Sequence, residues 1–214
     1  MMRYLFLLLP FFFVSNVRAD SPLTSTPFAD AYASEKMVMY VATKGLDEKA
    51  MKYLGSEDGD AVVKIAMINQ LSWGNMEYTK AFEKYLIEKR KVKEKVFKYL
   101  RYPKGDEVKE NKWTKKLTAD DLMCWAYFNA LGNYFNPQMS SSAAQLAMQR
   151  EQNSMAHASV YALISCQVAF DKSWCNIYKL GQLYFVEKTY ESNPLNADAV
   201  QVILDYLNLY KADC

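Results

Sequence analysis

The stretch DAVVKIAMINQLSW, residues 60–73, carries Val63, Ile65, Ala66, Ile68, Leu71 and Trp73 on one broad face when wound at 3.6 residues per turn. Asp60 stands where an N-cap belongs, and Gly74 follows the last apolar residue. The pattern predicts a helix. Runs of alternating Val, Ile and Thr, the mark of a half-buried strand, are missing from the rest of the chain. An all-α protein is expected.

The same punctuation continues on both sides. Upstream, PFADAYASEKMVMYVATKG ends at Gly45 and LDEKAMKYLG ends at Gly55, each in the manner of a left-handed C-cap. Downstream, Phe82, Tyr85, Leu86, Val92, Val96, Tyr99 and Leu100 recur at helical steps, which predicts one helix from about Met76 to Tyr102, stopped by Pro103 and Gly105. A polar connector near 103–117 follows. Thr118 and Asp121 form an approximate capping pair before LTADDLMCWAYFNALGNYF. A long pattern then runs from about Ser140 to Phe170, Asp171 is placed to cap KSWCNIYKLGQLYFVEKTY, and Asn193-Pro194 precedes a last helix, NADAVQVILDYLNLY. Gly181 inside the penultimate helix costs about 1 kcal/mol relative to Ala and marks an expected close contact.

Ala66, Asn69 and Leu71 match Ala126, Asn129 and Leu131 sixty residues later, a weak internal repeat. Successive helical hairpins of this kind suggest an irregular α-α superhelix or solenoid-like array, with a compact helical bundle as the alternative.

The first nineteen residues place Arg3 before an apolar run, Leu5 to Val14, and end in Val17 and Ala19, the order of a cleaved secretory signal. Ten residues span about 15 Å as a helix, half the hydrocarbon core of a bilayer. Residues 1–19 therefore read as a signal peptide and 20–214 as one exported helical domain beginning at Asp20, periplasmic or extracellular, with no transmembrane span after cleavage. Removing Arg3 and Arg18 leaves 24 basic against 24 acidic residues, so the general basic character of a nucleic-acid binder is absent. Cys124, Cys166, Cys175 and Cys214 favour disulfides in an oxidising compartment. A tight hairpin around Asp171 suggests Cys166–Cys175, and elimination then pairs Cys124 with Cys214. The close Cys pairs or Cys–His partners of a zinc site are missing, and neither a metal nor a cofactor is expected.

Chemical signatures are sparse. His157 and Ser154, three residues apart, share a helical face with Glu151 nearby, but no oxyanion motif accompanies them, so His157 reads as a surface histidine or one packed under a neighbouring hairpin. Glu57, Asp58 and Asp60 in GSEDGD lack the later ligands of a calcium loop and read as a turn with an N-cap. Asp120 and Asp121 suit the positive end of a helix. The chain has no phosphate loop and no H-E-x-x-H.

One feature of composition stands out. Lys84 to Lys116 holds thirteen Lys or Arg against five Asp or Glu, in a mature chain of zero net charge. Lys84, Lys91, Lys95, Lys98, Arg101, Lys112, Trp113 and Lys115 are the expected binding residues, with Trp113 either folded back on the helices or presented to a partner. The expected function is non-enzymatic binding of another macromolecule, an acidic protein or anionic envelope component. A toxin-neutralising immunity protein is one specific form of it. The competing expectation is an envelope-directed hydrolase using carboxylates not identifiable from sequence.

Overall fold

The computed structural model describes residues 21–71, 76–103 and 110–214. The expected signal peptide and the expected mature start at Asp20, Trp73 and Gly74, and Gly105 with the connector positions 104–109 lie outside the described residues. The protein is all-α: α1 Lys36–Lys44, α2 Glu48–Leu54, α3 Ala61–Leu71, α4 Met76–Arg90, α5 Lys95–Arg101, α6 Ala119–Gly132, α7 Gln138–Arg150, α8 Met155–Phe170, α9 Trp174–Gln182 and α10 Ala197–Leu207. Short 3₁₀ turns occupy Phe28–Tyr32, Thr114–Lys116 and Asn208–Asp213, and a π turn, Leu183–Glu187, extends α9. Among the described residues there is no strand, and no helix is long and apolar enough to cross a membrane.

Side-chain caps account for the starts of four helices among the described residues. Asp60 Oδ1 accepts from the backbone N–H groups of Val62 (2.7 Å) and Val63 (3.3 Å), satisfying donors that α3 itself leaves unpaired. Thr118 and Asp121 close a full capping box on α6, with reciprocal bonds of 2.9 and 3.0 Å. Asp47 and Asn196 cap α2 and α10.

Helix α6 is apolar on every side, and all eleven residues from Asp121 to Leu131 are buried. It packs against α2, α3, α4, α7 and α8, so five helices are laid against it. Trp125 and Tyr127 are fully buried there, each such side chain contributing roughly 1.5–3 kcal/mol by leaving water. Successive helices α6, α7, α8 and α9 pack pairwise, while α10 returns to the N-terminal turn Phe28–Tyr32. One contiguous buried cluster runs from Leu23 to Leu207.

Several expected boundaries move. The helix expected from Met76 to Tyr102 is broken between Arg90 and Lys95, where Lys91 takes φ of 52°, a left-handed conformation that stops helical hydrogen bonding. The long pattern from Ser140 to Phe170 is two helices, because the backbone of Asn153 turns out to accept from Glu191 and Ser192. Asp171 closes α8 and does not cap α9, which starts from Ser173. Gly45 has the positive φ expected of it (69°), whereas Gly55 sits at −90°. A Cβ at Gly55 would fall 2.4 Å from the Tyr85 ring, so close packing and not turn conformation demands the glycine. At Gly181 the expected close contact is present, a Cβ there falling 2.9 Å from Leu207 Cδ1.

The cysteine pairing differs from both expected bridges. Cys175 is joined to Cys214, with Cα atoms 4.7 Å apart, while Cys124 and Cys166 are buried free thiols. Cys166 lies with its sulfur 3.8 Å from the Ile177 carbonyl, under the face of α9 that carries Ile177. Residues two apart on a helix point about 200° apart, so Cys175 faces the other way. The 3₁₀ turn Asn208–Asp213 runs along α9, not α6, and brings Cys214 to Cys175 instead of to Cys124. Burial pushes both free thiols well above their ordinary range, which keeps them protonated.

Candidate functional site

The break after Arg90 decides which basic side chains reach solvent. Val92, Val96, Phe97 and Leu100 turn inward, leaving Lys91, Lys93, Lys95 and Lys98 exposed. The connector is held against this segment from two sides. Arg150 of α7 donates to the carbonyls of Leu117 (2.5 Å) and Thr114 (3.1 Å) and pairs with Glu110, while Lys116 Nζ donates to the Lys91 carbonyl. Asn111 Oδ1 accepts from the backbone N–H groups of Trp113 (2.8 Å) and Thr114 (3.2 Å), fixing the turn that carries the indole.

Trp113 is folded back, half-buried against the core. Its ring is flanked by two ammonium groups, Lys95 Nζ at 3.9 Å and Lys112 Nζ at 4.8 Å from the centroid, within cation–π range. Lys95, Tyr99, Asn111, Lys112 and Trp113 line an open cleft of about 390 Å³. Of the expected residues, Lys95, Lys112 and Trp113 are in direct contact. Lys98 lies one turn along from Lys95, and Lys91 and Lys115 are exposed on the two segments that meet there. Lys84 is exposed on α4, seven residues before the break and outside the cleft. Arg101 does not belong to the surface: its guanidinium bonds Glu83 and Asn129 Oδ1 and lies over the Trp125 ring, at 19 % side-chain exposure. Arg90, also within the basic strip, is spent inside on Asp121 (2.7 Å) and Glu57 (2.6 Å).

A second polar centre sits where α3, α6 and α8 meet. Lys64, in the middle of α3, is completely buried and donates to the Ser56 carbonyl (2.6 Å) and to Asp120 Oδ2. Asp120 Oδ1 is 3.1 Å from His157 Nε2, a charge-pair distance without the alignment of a full hydrogen bond. Ser154 Oγ is 2.8 Å from His157 Nδ1 and accepts from Asn193 Nδ2 at 3.0 Å. The Ser154 hydroxyl thus holds one edge of the imidazole, and the Asp120 carboxylate lies at the other. Burial alone would raise the Asp120 carboxyl; the His157 N–H and the Lys64 ammonium outweigh it and hold the group below its ordinary value. His157 is thus the packed histidine of the two expected alternatives. Lys64 was not legible as a site residue, since one Lys in an apolar helix reads as a solvated side chain. The one sequence signal is its place between Val63 and Ile65 in a helix apolar on both sides of it.

Around this chain opens a cleft of about 420 Å³ lined by Glu57, Asp58, Gly59, Asp60, Ala61, Asp120, Glu151, His157 and Asn193. Among the described residues no group of His, Cys, Asp or Glu is arranged to hold a metal ion.

No family model, curated protein or solved structure matches the chain.

Proposed function

We propose that this chain is an exported helical protein that binds an anionic macromolecule, an acidic protein or envelope polymer, through the lysine-rich surface around Trp113. The observation that carries the reading is the meeting of α5 and the connector at one indole, where Lys95 and Lys112 are held over the ring and Lys91, Lys98 and Lys115 stand exposed beside it. Tryptophan is enriched at recognition surfaces, and exposed lysines beside it steer an anionic partner toward it. Neutralisation of a secreted acidic toxin is the specific form this takes if the partner is a protein. The surface disulfide Cys175–Cys214 suits an oxidising compartment.

The competing hydrolase reading would draw on the carboxylates Glu57, Asp58, Asp60, Asp120 and Glu151 that line the cleft beside His157. Against it, Asp120 is compensated by Lys64, the other four are exposed, and the Ser154 hydroxyl is fully buried with its oxygen engaged by Asn193, so it is not a free nucleophile.

The test compares wild type with Lys91→Glu/Lys95→Glu/Lys98→Glu in pull-downs from the envelope fraction and in association kinetics with the captured partner. Exposed charges steer encounter over roughly 8 Å at physiological salt, so the variant should associate more slowly, with a smaller effect on dissociation. Partner lists that are identical for both proteins at low and high salt would refute the reading.

A further inference from the structure

Helix α9 begins at a tryptophan that is 53 % exposed and yet fixed in orientation. The Trp174 indole N–H donates to the Phe170 carbonyl at 3.0 Å, and Tyr210 packs against the Trp174 ring at 6.1 Å and against the Phe170 ring at 6.2 Å between centroids. Tyr206, itself buried, continues the row of rings 5.7 Å from Tyr210. An indole has one donor and here it is already used, so Trp174 offers solvent a flat π surface and nothing else. Phe170 and Trp174 line an open cleft of about 630 Å³ together with Asp171, Lys172, Ser173 and Asp213. The Cys175–Cys214 bridge joins the residue after Trp174 to the residue after Asp213, so the two walls of the cleft are tied covalently. Among the described residues Asp171, Lys172 and Asp213 are exposed and enter no ion pair, and the Ser173 side chain makes no capping bond to α9.

We propose that this cleft binds a neutral saccharide, the C–H face of a β-linked, gluco-configured pyranose stacked on the Trp174 ring and its hydroxyls bonded by Asp171, Asp213, Lys172 and Ser173. The rim selects the charge of the ligand. Its two carboxylates disfavour an anion and Lys172 disfavours a cation, whereas a hydroxyl donates to the first and accepts from the second. The ring selects the shape. A pyranose with every substituent equatorial turns its C–H bonds along the ring axis and presents an apolar disc to the indole, while its hydroxyls lie in the plane where the polar rim stands. A proline-rich helix, another ligand of aromatic grooves, would use the rings but offer the carboxylates no proline N–H. The site shares no lining residue with the Trp113 surface and stands or falls independently of it.

The purified chain, with its disulfide intact, is titrated by calorimetry with cellotriose and with the β-1,4-linked trimer of N-acetylglucosamine. Choline and a proline-rich peptide are titrated alongside as a cationic and a peptide ligand of aromatic sites. Saturable binding of at least one trimer is expected, at roughly millimolar affinity for a shallow site with one stacking ring. That affinity should be the same at low and high salt, because the ligand carries no charge to be screened. Trp174→Ala should bind at least about tenfold more weakly. Asp171→Ala/Asp213→Ala, altered only at exposed side chains, should also bind at least about threefold more weakly with its unfolding midpoint in place, and it carries the test where Trp174→Ala does not fold. No saturable binding of either trimer, tighter binding of choline or of the peptide than of both sugars, or wild-type affinity in the folded Trp174→Ala or Asp171→Ala/Asp213→Ala protein would each overturn the proposal.

Discussion

Replacing Lys64 by Met keeps most of the stem that fills the α3–α6 interface and deletes only the ammonium. Two acceptors then lose their donor, the Ser56 carbonyl and Asp120 Oδ2. Removing one member of a buried pair costs about 3–5 kcal/mol. Asp120 retains 21 % side-chain exposure and the neighbouring His157, so the lower end applies, about 3 kcal/mol. Asp120→Asn should cost more, about 4 kcal/mol, because the cation it strands is fully buried. The double variant should lose less than the sum of the two, since it strands neither charge. Urea unfolding followed by circular dichroism measures all four corners of the cycle, and for a chain of this size a 3 kcal/mol loss lowers the melting temperature by about 6–12 °C. Asp120 has a depressed carboxyl in the folded protein, so its contribution is complete above its unfolded value, about 3.9, and is lost as pH falls through the folded one. The gap between wild type and Lys64→Met should therefore narrow in acid. A Lys64→Met protein as stable as wild type at pH 7, or strictly additive single variants, would refute the account of a coupled buried pair.

Two other outcomes follow from particular contacts. Thiol labelling of the unfolded, unreduced protein should modify Cys124 and Cys166 only, with neither reacting in the folded state; Cys175→Ser, opening a loop closed over a separation of 39, should cost about 4 kcal/mol by the chain-entropy estimate. Arg101→Gln should destabilise by about 2 kcal/mol, because it leaves Glu83 and Asn129 short of a donor, while Lys98→Gln leaves the unfolding midpoint in place.

Helix class, the capping box at Thr118 and Asp121, and the Asp60 cap were readable because each is a local matter, settled within four residues by periodicity and by orphan backbone N–H groups. The clustering of charge between Lys84 and Lys116 was readable for the same reason. Which of those charges face water was not. Lys98 and Arg101 are three residues apart on α5, yet one is exposed and the other lies over Trp125, because the position of α6 decides it.

The sequence by itself determined that this chain is helical, where several of its helices start, and that half of its 26 basic residues lie within the 33 positions from Lys84 to Lys116. Tertiary structure alone decided the rest. It drew Lys64, Asp120 and His157 together from three helices, and it turned Cys175 away from Cys166 toward a terminus 39 residues later. The physical reason is common to both. Caps and periodicity are read over one or two turns, whereas the partner of a buried charge or a thiol is whatever the packing of distant helices brings within a few ångströms, and no residue carries that information in its own neighbourhood.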